Sequence, residues 1–241
     1  MPHDMNCDTH TRWNSLVALE QAGVFEYPGL AQLAGIPATS IAGRSAVAMK
    51  AQQSLIIRLL LRRPLYAYHV CDMQLDRNLR RENGRWTIQF RAKEIGPERV
   101  HRRTSAYRTL FPNDLVSQLE EFVTVWRPML PGADLPELFT TPAGHTFSVL
   151  ALNNGIRRTT YAHTGRATDA RQIRTIWATE FIKKTEDFVA AAEILGDTVE
   201  SVLRRFAHLR REDPSILADR FFAQTVEDQI ESRRHRAQTL G

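Results

Sequence analysis

The sequence predicts an α+β fold that is mainly helical, with a small antiparallel three-stranded sheet set between two groups of helices. Three observations carry this. Ala46 to Leu61 places Val47, Met49, Leu55, Ile56, Leu59 and Leu60 at helical spacing. Asn83-Gly84 is a hairpin-type turn, and Trp86-Thr87-Ile88-Gln89-Phe90 after it alternates as a strand does. From Ser148 onward four more helical segments follow one another, Ser148 to Thr160, Thr168 to Lys184, Phe188 to Leu195 and Thr198 to His208.

Taken in order, residues 1–11 are polar and read as a mobile tail. Their His3, Asp4, Cys7, Asp8 and His10 imitate a metal site, but ligation needs a rigid frame that this stretch does not supply. Trp13, Leu16, Val17, Leu19 and Val24 suggest a short amphipathic helix. Pro28 to Ile41 is rich in turn residues. Pro64 ends the first strong helix, because proline lacks the N–H that a helix interior needs. Tyr66 to Leu75 reads as helix or turn. Gly96-Pro97 marks a turn, a third strand is expected near Arg108 to Phe111, and Pro112-Asn113-Asp114 opens a helix bearing Leu115, Leu119, Phe122, Val123 and Trp126. Residues 128–136 read as a loop, and a last helix is expected from Pro214 to about Arg236.

Of 241 residues 43% are hydrophobic and 24% charged, which allows a buried core and argues against a disordered chain. The net charge of +5 favours a polyanionic partner only weakly. Two cysteines, Cys7 and Cys71, make no disulfide framework. With no apolar leader and no membrane-length apolar run visible, the expected location is the cytoplasm. His69, His145 and His163 lack metal-ligand spacing, and no phosphate-loop or dinucleotide glycine fingerprint occurs, so no metal or cofactor is expected.

The most informative stretch is Asp169 to Leu209. It contains Ala170-Arg171-Gln172-Ile173-Arg174, then Ala178-Thr179, Leu195-Gly196-Asp197 and Phe206-Ala207-His208-Leu209. This resembles the C-terminal signature of the tyrosine recombinases (the phage-integrase family): H-x-L-R, A-T, L-G-H and a nucleophilic tyrosine. Arg174 and Gly196 are 22 residues apart and Gly196 and Phe206 are 10 apart, and both separations match without gaps. The likeness covers roughly residues 44–210. It implies a catalytic domain of helices around a three-stranded sheet, preceded by a tail and short helix (1–43) and followed by a C-terminal helix (211–241).

The resemblance implies a reaction in which a tyrosine hydroxyl attacks a DNA phosphodiester. Two arginines would stabilise the phosphoryl charge, since guanidinium forks fit phosphate bidentately, and a hairpin lysine would protonate the leaving oxygen. Here the second arginine matches Arg174 and the lysine matches Lys93. Arg171 stands for the first histidine, Asp197 for the later one, Tyr66 for the first arginine and Phe206 for the nucleophile. Arg62 and Arg63 lie four and three residues before Tyr66. Phenylalanine has no attacking oxygen, and no tyrosine follows Tyr161.

The resemblance also implies that arginines near the hairpin and around Arg174 face duplex DNA. The candidates are Arg99, Arg102, Arg103, Arg157, Arg158, Arg204 and Arg205. The expected function is thus a recombinase-like DNA-binding protein of a mobile genetic element that has lost its chemistry. Self-association, or pairing with an active recombinase, would run through the C-terminal helix with Ile216, Leu217, Phe221, Phe222, Val226 and Ile230. Two other readings stay open: an active recombinase using Tyr66 or Tyr68, and a helical regulatory or interaction protein with no DNA role.

Overall fold

The structure is a computed structural model that describes residues 5–21, 27–91, 106–210 and 214–239. The expected Gly96-Pro97 turn lies outside them. In chain order the elements are α1 (Met5–Gln21), α2 (Leu30–Ala34), α3 (Ile41–Arg62), α4 (Ala67–Cys71), β1 (Leu79–Glu82), β2 (Arg85–Phe90), β3 (Tyr107–Leu110), α5 (Val116–Glu121), α6 (Val149–Thr164), α7 (Ala170–Thr185), α8 (Phe188–Leu195), α9 (Val199–Phe206) and α10 (Pro214–Thr239).

The α3 helix is the centre of the larger core. Ala48, Ala51, Leu55, Leu59 and Leu60 are fully buried, and α3 packs against α6, α7 and the segment 113–129. Its length exceeds the apolar stripe, since it starts at Ile41 and ends at Arg62, where Pro64 forbids a further turn. Two sequence expectations are corrected upstream. Backbone helix already begins at Met5, inside the stretch read as a tail, and Leu16 of α1 is buried in the main core with Trp13 against it. The turn-rich stretch holds the short α2. In both cases packing against a larger body stabilises helix that local propensity alone does not favour.

The sheet has order β1-β2-β3, antiparallel throughout, with Leu79 opposite Ile88 and Phe90 opposite Tyr107. Asn83 and Gly84 both have positive φ, 49° and 76°, the pairing that a two-residue hairpin of right-handed twist requires. Leu79, Ile88, Phe90 and Tyr107 are buried and put this sheet on the core. Downstream, the helix expected after Pro112 is a composite. A 3-10 turn (Asn113–Leu115) leads into α5, a π-helical turn (Phe122–Trp126) and a second 3-10 turn (Arg127–Met129).

Helices α6 to α9 each start on a residue whose side chain caps them. Ser148 caps α6, its hydroxyl accepting from the Ala151 N–H. The α7 cap is Asp169, one residue later than expected. Its carboxylate accepts from the Gln172 N–H while the Gln172 side chain accepts from the Asp169 N–H, a reciprocal capping box. Thr168 is buried instead, exchanging bonds with the Thr160 hydroxyl.

A second, smaller core gathers Ala178, Ile182, Ala191, Ala192, Leu195, Val202, Phe206 and Leu209. The α7 helix joins the two cores, since its Ile173 and Ile176 belong to the first and its Ala178 and Ile182 to the second. Such a helix is buried around most of its girth, so a polar residue at its middle has no route to water and must find partners inside.

Candidate functional site around Arg174

That polar residue is Arg174. Its side chain is 6% exposed and sits where α7 meets two other chain segments. One is the joint between α3 and α4, whose Pro64 carbonyl accepts from Nη1 at 2.6 Å. Another is the C-terminus of α8, whose Leu195 carbonyl accepts from Nη2 at 2.5 Å. The third partner is the Asp197 carboxylate, with Oδ2 at 2.8 Å from Nη2.

The end of α8 explains the second and third contacts. Gly196 takes the left-handed conformation at φ 62°, the Asp197 N–H bonds back to the Ala192 carbonyl and the Gly196 N–H to the Glu193 carbonyl. This is a Schellman turn, and glycine supplies its αL residue without steric cost. The turn leaves the Leu195 carbonyl outside the helical ladder, where it needs a donor, and delivers Asp197 beside it. A cation at the negative end of the α8 dipole fits the same place.

Asp197 is the hub of the cluster. The Tyr66 hydroxyl donates to its Oδ1 at 2.7 Å, while Arg174 and Arg205 both donate to Oδ2, Arg205 at 2.7 Å. The Tyr66 ring lies under the Arg174 guanidinium, 3.9 Å from centroid to Cζ, a cation–π contact in a desolvated setting. Behind Tyr66 a stacked aromatic group runs through Tyr68, His69, Phe90 and Tyr107. The Tyr107 hydroxyl returns to the Ile194 carbonyl, so the sheet braces the end of α8.

Burial alone would raise the Asp197 pKa, but the Arg174 charge, the hydrogen bonds from Tyr66 and Arg174, and the Arg205 charge together hold it below its ordinary value. A carboxylate with a depressed folded pKa stabilises the fold when ionised. Its contribution is complete well above the unfolded value near pH 4, shrinks as the pH falls toward that value, and is gone below the folded pKa. Acid titration of unfolding is therefore expected to show a loss of stability below about pH 5 that the Asp197→Asn variant lacks. Parallel acid profiles for the two proteins would refute it.

The other sequence candidates fall elsewhere. Phe206 is 5% exposed and belongs to the smaller core. Arg62 is held by Glu20 and Asp114, at 2.5 Å each, and Arg63 donates to the Leu110 carbonyl, so neither joins the cluster. Arg171, Arg157, Arg158 and Arg204 are exposed, with Arg157 paired to Asp169 and Arg204 to Glu200. Lys93, Arg99, Arg102 and Arg103 lie outside the described residues. Among the described residues there is no group of three metal-ligating side chains, and no helix is long and apolar enough to cross a membrane. Cys71 is a buried thiol, pushed up to about 12 chiefly by burial.

Sequence reasoning missed Arg205 as a partner of Asp197. The signal was present: Thr198 caps α9, and Arg205 lies two turns after Asp197, on the same side of the helix.

No model of a known protein family matches the chain, and no curated protein matches it. Solved structures do. The site-specific recombinase XerH in a pre-cleavage complex with its difH substrate superposes with a TM-score of 0.51 at 16% identity, over 84% of this chain and 49% of XerH. The XerH post-cleavage complex with palindromic difH gives 0.52 at 15% identity, over 82% and 47%. The XerA recombinase gives 0.50 at 15% identity, over 78% and 64%. The fold is that of a tyrosine-recombinase catalytic domain. The chain spans about half the length of XerH. At these identities the shared property is the fold.

Proposed function

We propose that this chain is a tyrosine-recombinase-like protein of a mobile genetic element that binds duplex DNA without cutting it. The observation that carries the reading is its fold, shared with a recombinase held on its substrate both before and after cleavage. Loss of chemistry is supported by two features. The position matching the nucleophile is Phe206, a core aromatic with no oxygen to attack phosphorus. The retained Arg174 is committed to internal acceptors.

DNA contact would then fall to exposed arginines: Arg157, Arg158, Arg171 and Arg204 among the described residues, and Arg99, Arg102 and Arg103 beyond them. Contacts of this kind go to phosphates, position the protein and carry little sequence information. Pairing with a second copy or an active recombinase through α10 is supported by the exposure of Ile216, Phe221, Phe222 and Val226. The side chains of Leu217 and Ile230 lie outside the described residues.

A titration of duplex DNA against salt tests the reading. Binding is expected at low salt, weakening steeply and log-linearly as salt rises because each phosphate contact releases counterions. Replacing Arg157 and Arg158 together by alanine is expected to flatten that slope by about one to two contacts. Folded protein that binds no duplex at low salt would leave the helical interaction reading in its place.

A further inference from the structure

We propose that the outer face of the three-stranded sheet is a further contact surface for the phosphate backbone of duplex DNA, with Glu82 held across it as a competing carboxylate. The proposal rests on the DNA-binding reading and assigns to it a face that carries none of Arg157, Arg158, Arg171 and Arg204.

Register fixes which residues share this face. Leu79 pairs with Ile88 and Phe90 with Tyr107, and these buried residues form the core side, where the Tyr107 hydroxyl reaches the Ile194 carbonyl. Side chains alternate along a strand, so the opposite side takes Thr87 with its partners Arg80 and Leu110, Arg85 with its partner Glu82, and Gln89 with its partner Arg108. Each strand thus supplies one guanidinium, and the face turns away from the Arg174 cluster. Among the described residues, the one carboxylate that the strands place there is Glu82. It meets the 60% exposed Arg108 at 2.6 Å. The two lie on a diagonal across β2 with Thr87 between them, which accounts for a threonine of the outer face being 2% exposed.

The chemistry of the face selects the partner. Three strands and two steps of alternate residues span about 10 by 14 Å. A duplex carries one negative charge per about 1.7 Å of its axis, so such a face meets several phosphates at once. Guanidinium forks bind phosphate bidentately. A protein partner would need an apolar centre that excludes water. Here the centre is Thr87 beneath an ion pair, and Leu110, 43% exposed, stands at one edge. A single strand would need aromatic rings to stack on, and Trp86 and Phe90 of β2 lie on the core side. The Glu82–Arg108 pair is of the exposed, weak kind, so a phosphate takes Arg108 from Glu82 at small cost. Glu82 then sets the affinity, because it competes for Arg108 and repels the phosphate.

The test is duplex binding by the full chain, read by fluorescence anisotropy against salt. Arg85→Ala and Arg108→Ala are each expected to lower the salt slope by about one phosphate contact. Glu82→Gln frees Arg108 and removes a repelling charge, and is expected to bind roughly threefold more tightly at low salt. Arg81→Ala is the control. It removes the same charge from the same hairpin, but Arg81 pairs with Trp86 in the register and meets Glu120 on the core side, while 61% exposed. Its slope is expected to match that of the wild type. Urea unfolding checks that each variant is folded, and if Arg108→Ala is not, Arg85→Ala and Glu82→Gln carry the measurement. Equal slopes for the wild type and both outer-face variants overturn the proposal and leave the DNA reading standing. So does a Glu82→Gln protein that binds no more tightly, or an Arg81→Ala slope lowered as far as that of Arg85→Ala, which marks diffuse charge. Absence of duplex binding by the wild type and Glu82→Gln alike sinks both readings.

Discussion

Replacing Arg174 by alanine is expected to destabilise the protein by about 3–5 kcal/mol, the range for removing one partner of a buried ion pair. The loss has three sources. Asp197, 12% exposed, keeps only Tyr66 and Arg205 as donors. The Leu195 carbonyl loses a donor at the end of α8, and so does the Pro64 carbonyl beside α4. A buried acceptor without a donor costs about 1–3 kcal/mol. Arg174→Lys should recover only part, because a single ammonium cannot reach three acceptors on two segments with the geometry of a planar fork. Urea unfolding at neutral pH measures this, and a loss below about 1 kcal/mol would sink the account of Arg174 as a brace. Alanine at exposed Arg158 should, by contrast, leave the unfolding free energy within about 0.5 kcal/mol of wild type.

The second large effect is an absence of product. On a nicked suicide substrate the wild-type protein is expected to form no covalent DNA adduct, and Phe206→Tyr alone is expected to form none either. A tyrosine at 206 would place its ring in the smaller core among Val202, Leu195 and Ile182, where a new hydroxyl costs about 1–3 kcal/mol unless it finds a partner. Even if that hydroxyl reached the surface, Arg174 would remain tied to Asp197, and Tyr66 would still supply a neutral phenol where a second guanidinium is needed. Catalytic groups that act as a unit are strongly non-additive, so restoring one recovers little. Adding Tyr66→Arg and Asp197→His to Phe206→Tyr removes the resident carboxylate and supplies the missing cation, and only this combination is expected to give a phosphotyrosyl product. A protease-sensitive, denaturant-stable adduct on the unmodified protein would overturn the inactive reading, and mapping it to Tyr66 or Tyr68 would identify an active recombinase.

Much of the architecture could be read from residue order because its causes are local. The stripe on α3, the Asn83-Gly84 turn and the alternation of β2 each follow from one short segment and a fixed period. The break at Pro64 and the αL turn at Gly196 follow from single residues whose backbone options are narrow. Gly196 is also the middle point of the Arg174 to Phe206 spacing that carries the resemblance to recombinases.

What the sequence could not decide was where the side chains of these segments end up. In the sequence Arg174, Tyr66 and Asp197 are three separate positions that only the resemblance groups together. Only the packing of α7 between two cores buries Arg174, and only then do the Pro64 and Leu195 carbonyls and the Asp197 carboxylate, 110, 21 and 23 residues away, become its partners. The helical start at Met5 and the composite segment after Pro112 escaped for the same reason, since tertiary contacts outweigh weak local preference. The sequence by itself determined the main helices, the hairpin and their order, and that residue 206 is a phenylalanine. The tertiary structure decided that Arg174 is satisfied from within, because a buried cation must be met by acceptors wherever the fold brings them.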